Sequence, residues 1–140
     1  EQEFYNAQIG FNLLLKPEVN VLLKFLLALI NSRLMTFYHR NRFLDQSKRV
    51  FQKILIQDAK DFPICTFNFG DSTEKAQHDK LVALVDTMLE LQKKYHDARM
   101  ERDKELYERQ IRVVDAQIDK LVYDLYGLTE EEVRVVEEHV

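Results

Sequence analysis

Cysteine, proline, glycine and tryptophan are scarce in this chain. Of its 140 residues, one is Cys, two are Pro, three are Gly and none is Trp. A lone Cys65 excludes a disulfide framework within the chain and points to a reducing cytoplasm. So few Gly and Pro argue against a fold built of many tight turns and favour long helices. The longest apolar run, residues 19–30, is broken by Asn20 and Lys24 and falls short of the roughly 20 residues that cross a bilayer. No membrane association is expected. No secretory leader is expected, and no Gly-rich phosphate loop is present in these residues. The four histidines, His39, His78, His96 and His139, lack metal-ligand spacing and read as surface residues. Cys65 has no evident base partner and reads as an inert, at least partly buried thiol. No catalytic constellation emerges, and no cofactor is expected on this chain. The chain opens on Glu1 and reads as a piece of a longer protein.

What is present is apolar content of 46% and an uneven charge. Residues 1–100 carry 14 Lys and Arg against 12 Asp and Glu, whereas residues 101–140 carry 6 against 12. Any nucleic-acid contact is therefore expected from the first part.

The clearest local signal lies in residues 117–133. Gly127 suits the left-handed position just past a helix end. Thr129 follows as an N-cap, with Glu132 placed to complete a capping box and Leu128 and Val133 to form a hydrophobic staple. Upstream, Tyr107, Ile111, Val114, Ile118, Leu121 and Leu125 repeat in alternating steps of four and three. A second seam of the same kind runs through Leu81, Leu84, Met88, Leu91 and Tyr95. Such seams mark helices lying against one another. The two are out of phase by two residues, which a continuous coiled coil does not absorb. The polar run at residues 93–104 is thus predicted to contain a turn, and residues 71–128 to form an antiparallel helical hairpin acting as spacer or dimerisation element. Residues 129–140 are expected to carry a short C-terminal helix.

Residues 1–70 read differently. Residues 7–15 and 53–57 have strand character, and residues 18–38 form a helix apolar on nearly all sides, expected to be buried all round. Residues 39–53 are basic, with Arg40, Arg42, Lys48, Arg49 and Lys53 against Asp45 alone. Arg and Lys neutralise phosphates, and Asn41, Gln46, Ser47 and Gln52 add hydrogen-bonding groups. These five basic residues are the candidate DNA contacts; on composition alone the stretch also reads as a solvated loop after a buried helix. The fold class expected is α+β, predominantly helical, with a small sheet.

Several segments together resemble the TaqI-like C-terminal specificity domain of adenine-specific DNA methyltransferases and type IIG restriction–modification enzymes, a cousin of type I specificity subunits. Ile30, Asn31, Ser32, Arg33 and Leu34 resemble that family's Leu-Asn-Ser-(Lys/Arg)-Leu core. Phe51, Lys53, Ile54, Ile56, Asp58, Pro63 and Ile64 match its Phe-x-Lys-Ile-x-Ile-x-Asp-Leu-x-x-x-Pro-Ile segment, with Ala59 in place of Leu. Residues 78–94 and 108–133 resemble the helices that follow. The resemblance implies that residues 1–70 are the C-terminal half of a target recognition domain for double-stranded DNA. It also implies an upstream domain of the same protein that methylates adenine with S-adenosylmethionine, and a parent enzyme that also cleaves DNA if it is of the fused kind. The alternatives are a helical-hairpin module that docks a partner protein or a second copy, and a fragment of a type I specificity subunit. An enzyme active site within the chain is disfavoured.

Overall fold

The computed structural model describes residues 23–43, 56–66 and 68–140. These form six helices: α1 (Leu23–Asn31), α2 (Arg33–Phe43), α3 (Ile56–Lys60), α4 (Ser72–Asp97), α5 (Glu101–Leu125) and α6 (Glu130–Glu138). Among the described residues there is no strand. The strand expected at residues 7–15 and the first part of that at 53–57 lie outside them. Ile56 and Gln57, expected to be extended, instead open α3. The expected sheet is thus unsupported, and the helical character stands.

α4 starts where a capping aspartate permits. Asp71 Oδ1 accepts from the Thr73 and Glu74 amides at 2.7 and 3.3 Å, satisfying two donors that a helix start leaves unpaired. The helix ends at Asp97, and after a link of three residues α5 begins at Glu101. Two packed helices joined by so short a link must run antiparallel. The link, Ala98–Met100, falls inside the polar run where the two seams lose phase.

Of the seam residues, Leu81, Leu91, Val114 and Ile118 are buried, and Leu84, Met88, Tyr95, Tyr107, Ile111, Leu121 and Leu125 are half-buried. The heptad pattern omits residues that the fold buries more deeply. Val85 joins the α4 seam, and Val122, fully shielded from water, sits beside the α5 seam. The reason is that α5 has two packing partners. One face meets α4, and α5 also meets α2, where Asp119 accepts from the Arg33 amide; Val122 joins the core shared with α1. A two-partner helix needs a wider buried stripe than a coiled-coil seam.

The long apolar helix expected over residues 18–38 is interrupted at Ser32. Ser32 Oγ donates to the Leu29 carbonyl at 2.7 Å and accepts from the Met35 amide at 3.2 Å, so it caps the start of α2. The interruption lets the two halves do different jobs. α1 packs on α4, where Phe25, Ala28 and Leu29 join Leu81, Val85, Leu91, Val114, Ile118 and Val122 in one core. α2 crosses to α5 and α6. Burial of the apolar helix is one-sided, since Leu23 and Leu27 remain exposed. Lys24 pairs with Asp86 at the rim of the α1–α4 contact.

The expected C-terminal turn is present in detail. Gly127 has φ +66°, the Leu128 amide reaches back to the Tyr123 carbonyl at 3.1 Å, and the Gly127 amide reaches Asp124 at 3.2 Å. This is a Schellman closure of α5. Thr129 Oγ1 then accepts from the Glu132 amide, and Glu132 Oε2 accepts from the Thr129 amide, which completes the capping box of α6. No described helix is long and apolar enough to cross a membrane.

Candidate nucleic-acid interface

α2 is the basic element of the described structure. Its eleven residues include Arg33, Arg40 and Arg42 and no carboxylate. Arg40 and Arg42 lie in its last turn, exposed, where a cation also complements the negative end of the helix dipole. Arg40 Nη1 donates to the His139 carbonyl at 3.3 Å. Of the other candidate contacts, Lys48, Arg49 and Lys53 lie outside the described residues. Asn41 turns back on its own helix, with Nδ2 donating to the Phe37 carbonyl at 2.8 Å.

The start of α2, outside the basic stretch at residues 39–53, carries a charged junction. The Arg33 amide donates to Asp119 Oδ1 at 2.9 Å, and Arg33 Nε lies 3.4 Å from Asp119 Oδ2. Arg33 Nη1 pairs with Glu137, and Tyr123 Oη donates to the other oxygen of Glu137 at 2.7 Å. Three helices, α2, α5 and α6, thus meet through four polar side chains. Burial pushes the Asp119 carboxyl above the ordinary aspartate range, opposed by the Arg33 amide. Burial, and then the hydrogen bond to Glu137, push the Tyr123 hydroxyl up. Glu137 in turn holds the Arg33 guanidinium in its charged form, against a lowering by burial. Within Ile30, Asn31, Ser32, Arg33 and Leu34, Ser32 therefore caps a helix break and Arg33 clamps it to α5 and α6. An aspartate on the α5 flank, among buried Ile118, Val122 and Tyr123, was the available signal, but its partner lies 86 residues away.

The opposite end of α2 anchors the segment around α3. Phe62, almost fully buried, lies among Tyr38, His39 and Phe43, with ring centroids 6.0–6.5 Å apart. Tyr38 Oη donates to the Asp61 carbonyl at 3.4 Å. His39 Nε2 is shielded from water and sits 3.7 Å from Asp58 Oδ2. Two of the four histidines expected at the surface are therefore core residues: His39, and His78, which packs between Phe25 and Phe69 at 5.3 and 5.1 Å. Aromatic surroundings bury an imidazole that the sequence pattern alone places on a polar helix face. His96 and His139 are exposed. Cys65 is half-buried, and burial pushes its thiol up, away from the thiolate a nucleophile needs. Tyr126 Oη, which donates to the Pro63 carbonyl at 2.5 Å, ties this segment to the end of α5.

A groove of about 380 Å³ runs between α1, α4 and α5, with Leu27, Met88, Leu89 and Ile111 on its walls and Asp115 at its edge. Among the described residues no group of three or more His, Cys, Asp and Glu is arranged to hold a metal ion. The chain matches no protein-family model, no curated protein and no solved structure.

Proposed function

We propose that this chain is the DNA sequence-recognition region of a restriction–modification adenine methyltransferase, of the TaqI-like specificity kind. The observation that carries the reading is α2: three arginines, no carboxylate, and two of the arginines exposed in the last turn, from which the sequence continues into Lys48, Arg49 and Lys53. Its support from sequence is the ordered set of segments that resemble that family. Arg40 and Arg42 would bind backbone phosphates, with guanine readout open to any arginine that reaches a major-groove edge. Methyl transfer from S-adenosylmethionine would belong to an upstream domain of the same cytoplasmic protein. The hairpin arms, 26 and 25 residues, span about 39 and 37 Å at 1.5 Å per residue and would act as spacer between recognition elements.

A salt titration of duplex binding tests this, comparing wild type with a variant carrying Arg40→Ala, Arg42→Ala, Lys48→Ala and Arg49→Ala. Each lost phosphate contact is expected to reduce the log–log slope by about 0.9. Identical slopes and affinities would refute the assignment. A second reading, docking of a protein partner by the hairpin, is favoured by Leu106 and Val113, exposed seven residues apart on the outer face of α5. Binding that is insensitive to salt and lost on Val113→Asp would favour it.

A further inference from the structure

α2 and α6 are opposite in charge. α2 carries three arginines and no acid, and α6 carries five glutamates against Arg134. Arg33, Phe37 and Arg40 fall on one stripe of α2, at helical spacings of four and three. All three meet the C-terminal end of α6. The Arg33 guanidinium pairs with Glu137, the Phe37 ring stands edge-on to the His139 ring at 6.2 Å, and Arg40 donates to the His139 carbonyl.

The glutamates of α6 sit at its two ends. Glu130, Glu131 and Glu132 sit in the first turn, where the helix dipole favours negative charge. Glu137 and Glu138 sit in the last turn, where it does not. Their presence there costs α6 local stability, and the cationic face of α2 offsets that cost. α6 is otherwise lightly held: Val136 is its one buried residue, and Val133 is half-buried.

We propose that α6 is an intramolecular acidic cover for the basic face of α2, displaced when a nucleic acid binds. The proposal rests on the DNA-binding reading above. A phosphate competes with Glu137 for the Arg33 guanidinium and with the His139 carbonyl for Arg40 Nη1, and the like charge of Glu137 and the phosphate disfavours both being bound side by side. Arg42, beyond the reach of these contacts in the last turn of α2, would be the point of first encounter.

The test uses the full chain and a short DNA duplex at low salt. Glu137→Gln removes the charge facing Arg33 and keeps an acceptor for Tyr123. Glu138→Gln, one residue on, makes the same change in net charge without touching Arg33. Glu137→Gln should bind the duplex about two- to fivefold more tightly than Glu138→Gln, the factor that a partly exposed ion pair is worth. In wild type, amide hydrogen exchange within residues 130–138 should accelerate when the duplex is added. Equal affinities of the two variants, or α6 amides that stay as protected with duplex as without, would overturn the cover while leaving DNA binding intact. If neither wild type nor Glu137→Gln binds duplex at low salt, the DNA-binding reading fails, and the cover with it. The exchange measurement needs no variant, so misfolding of Glu137→Gln would not leave the question open.

Discussion

Replacing Val122 by alanine separates what the heptad pattern implies from what the fold requires. Val122 lies next to the α5 seam, yet it is fully buried between the hairpin and the α1–α2 pair. Val→Ala removes two methyl groups, worth about 0.8 kcal/mol each in transfer from water. The space left behind adds a cavity cost, because a packed interior relaxes only in part. Together these come to about 2–3 kcal/mol. Alanine also has a higher helix propensity than valine, by up to about 0.7 kcal/mol, which works in the opposite direction. Val113 supplies the control. It stands on the same helix, nine residues earlier, and is 58% exposed. Val113→Ala collects the same propensity gain and gives up little burial, so it should be neutral or slightly stabilising. The difference between the two variants therefore isolates burial, at about 2–3 kcal/mol. In urea unfolding followed by circular dichroism, Val122→Ala should lower the midpoint by about 1 M relative to Val113→Ala, with unchanged slopes. Coincident midpoints would show that α5 packs through its heptad seam alone and that the α2 side of the helix is solvated.

Two further perturbations address the polar junction and the closing turn. Asp119→Asn keeps an acceptor for the Arg33 amide and removes the buried charge. A carboxyl raised by burial makes the protonated form the stabilising one: that contribution is complete below the ordinary aspartate value of about 3.9 and is lost as pH rises through the raised value. The variant should thus gain on wild type as pH rises through the carboxylate range to neutrality, and the gap should close on acidification; a wild-type advantage that grows toward neutral pH would mean that pairing with Arg33 outweighs burial. Gly127→Ala should destabilise by about 1–2 kcal/mol in thermal unfolding, because Gly127 has φ +66° and a Cβ there meets backbone strain without steric crowding; an unchanged melting temperature would contradict the Schellman geometry.

The parts of the fold that were legible in the sequence are those set by neighbours in the chain. Gly127, Thr129 and Glu132 define a helix end and a helix start within six residues, and each of their hydrogen bonds is local. The hairpin break was legible because seam phase is also a local property. What was not legible depends on residues far apart. The helix break at Ser32 resembles many polar interruptions that stay helical; its permanence comes from Asp119, which caps the Arg33 amide from another helix. Val122 escaped because a heptad template assumes one partner per helix, whereas α5 has α4 on one side and α2 on the other. His39 and His78 escaped because burial came from Phe62, Phe25 and Phe69, which belong to other elements. Of the candidate site, Arg40 and Arg42 were visible as charge, and Arg33 was visible as part of a motif but not as an ion-pair partner of Glu137.

The cap that Asp119 places on α2 has a consequence for how the chain acquires its basic helix. Both arms of the hairpin meet residues close in sequence, and such contacts close at low entropic cost and form early. The amide of Arg33, by contrast, finds its acceptor only after a loop of some 86 residues has closed. Until then the start of α2 has the Ser32 hydroxyl alone, and an isolated helix of eleven residues is marginal in water. The start of the helix that presents Arg33, Arg40 and Arg42 is therefore completed by α5. A peptide cut from residues 23–43 would carry the charges without their arrangement, and transplanting the basic helix into another scaffold would require a hydrogen-bond acceptor on the recipient to stand where Asp119 stands.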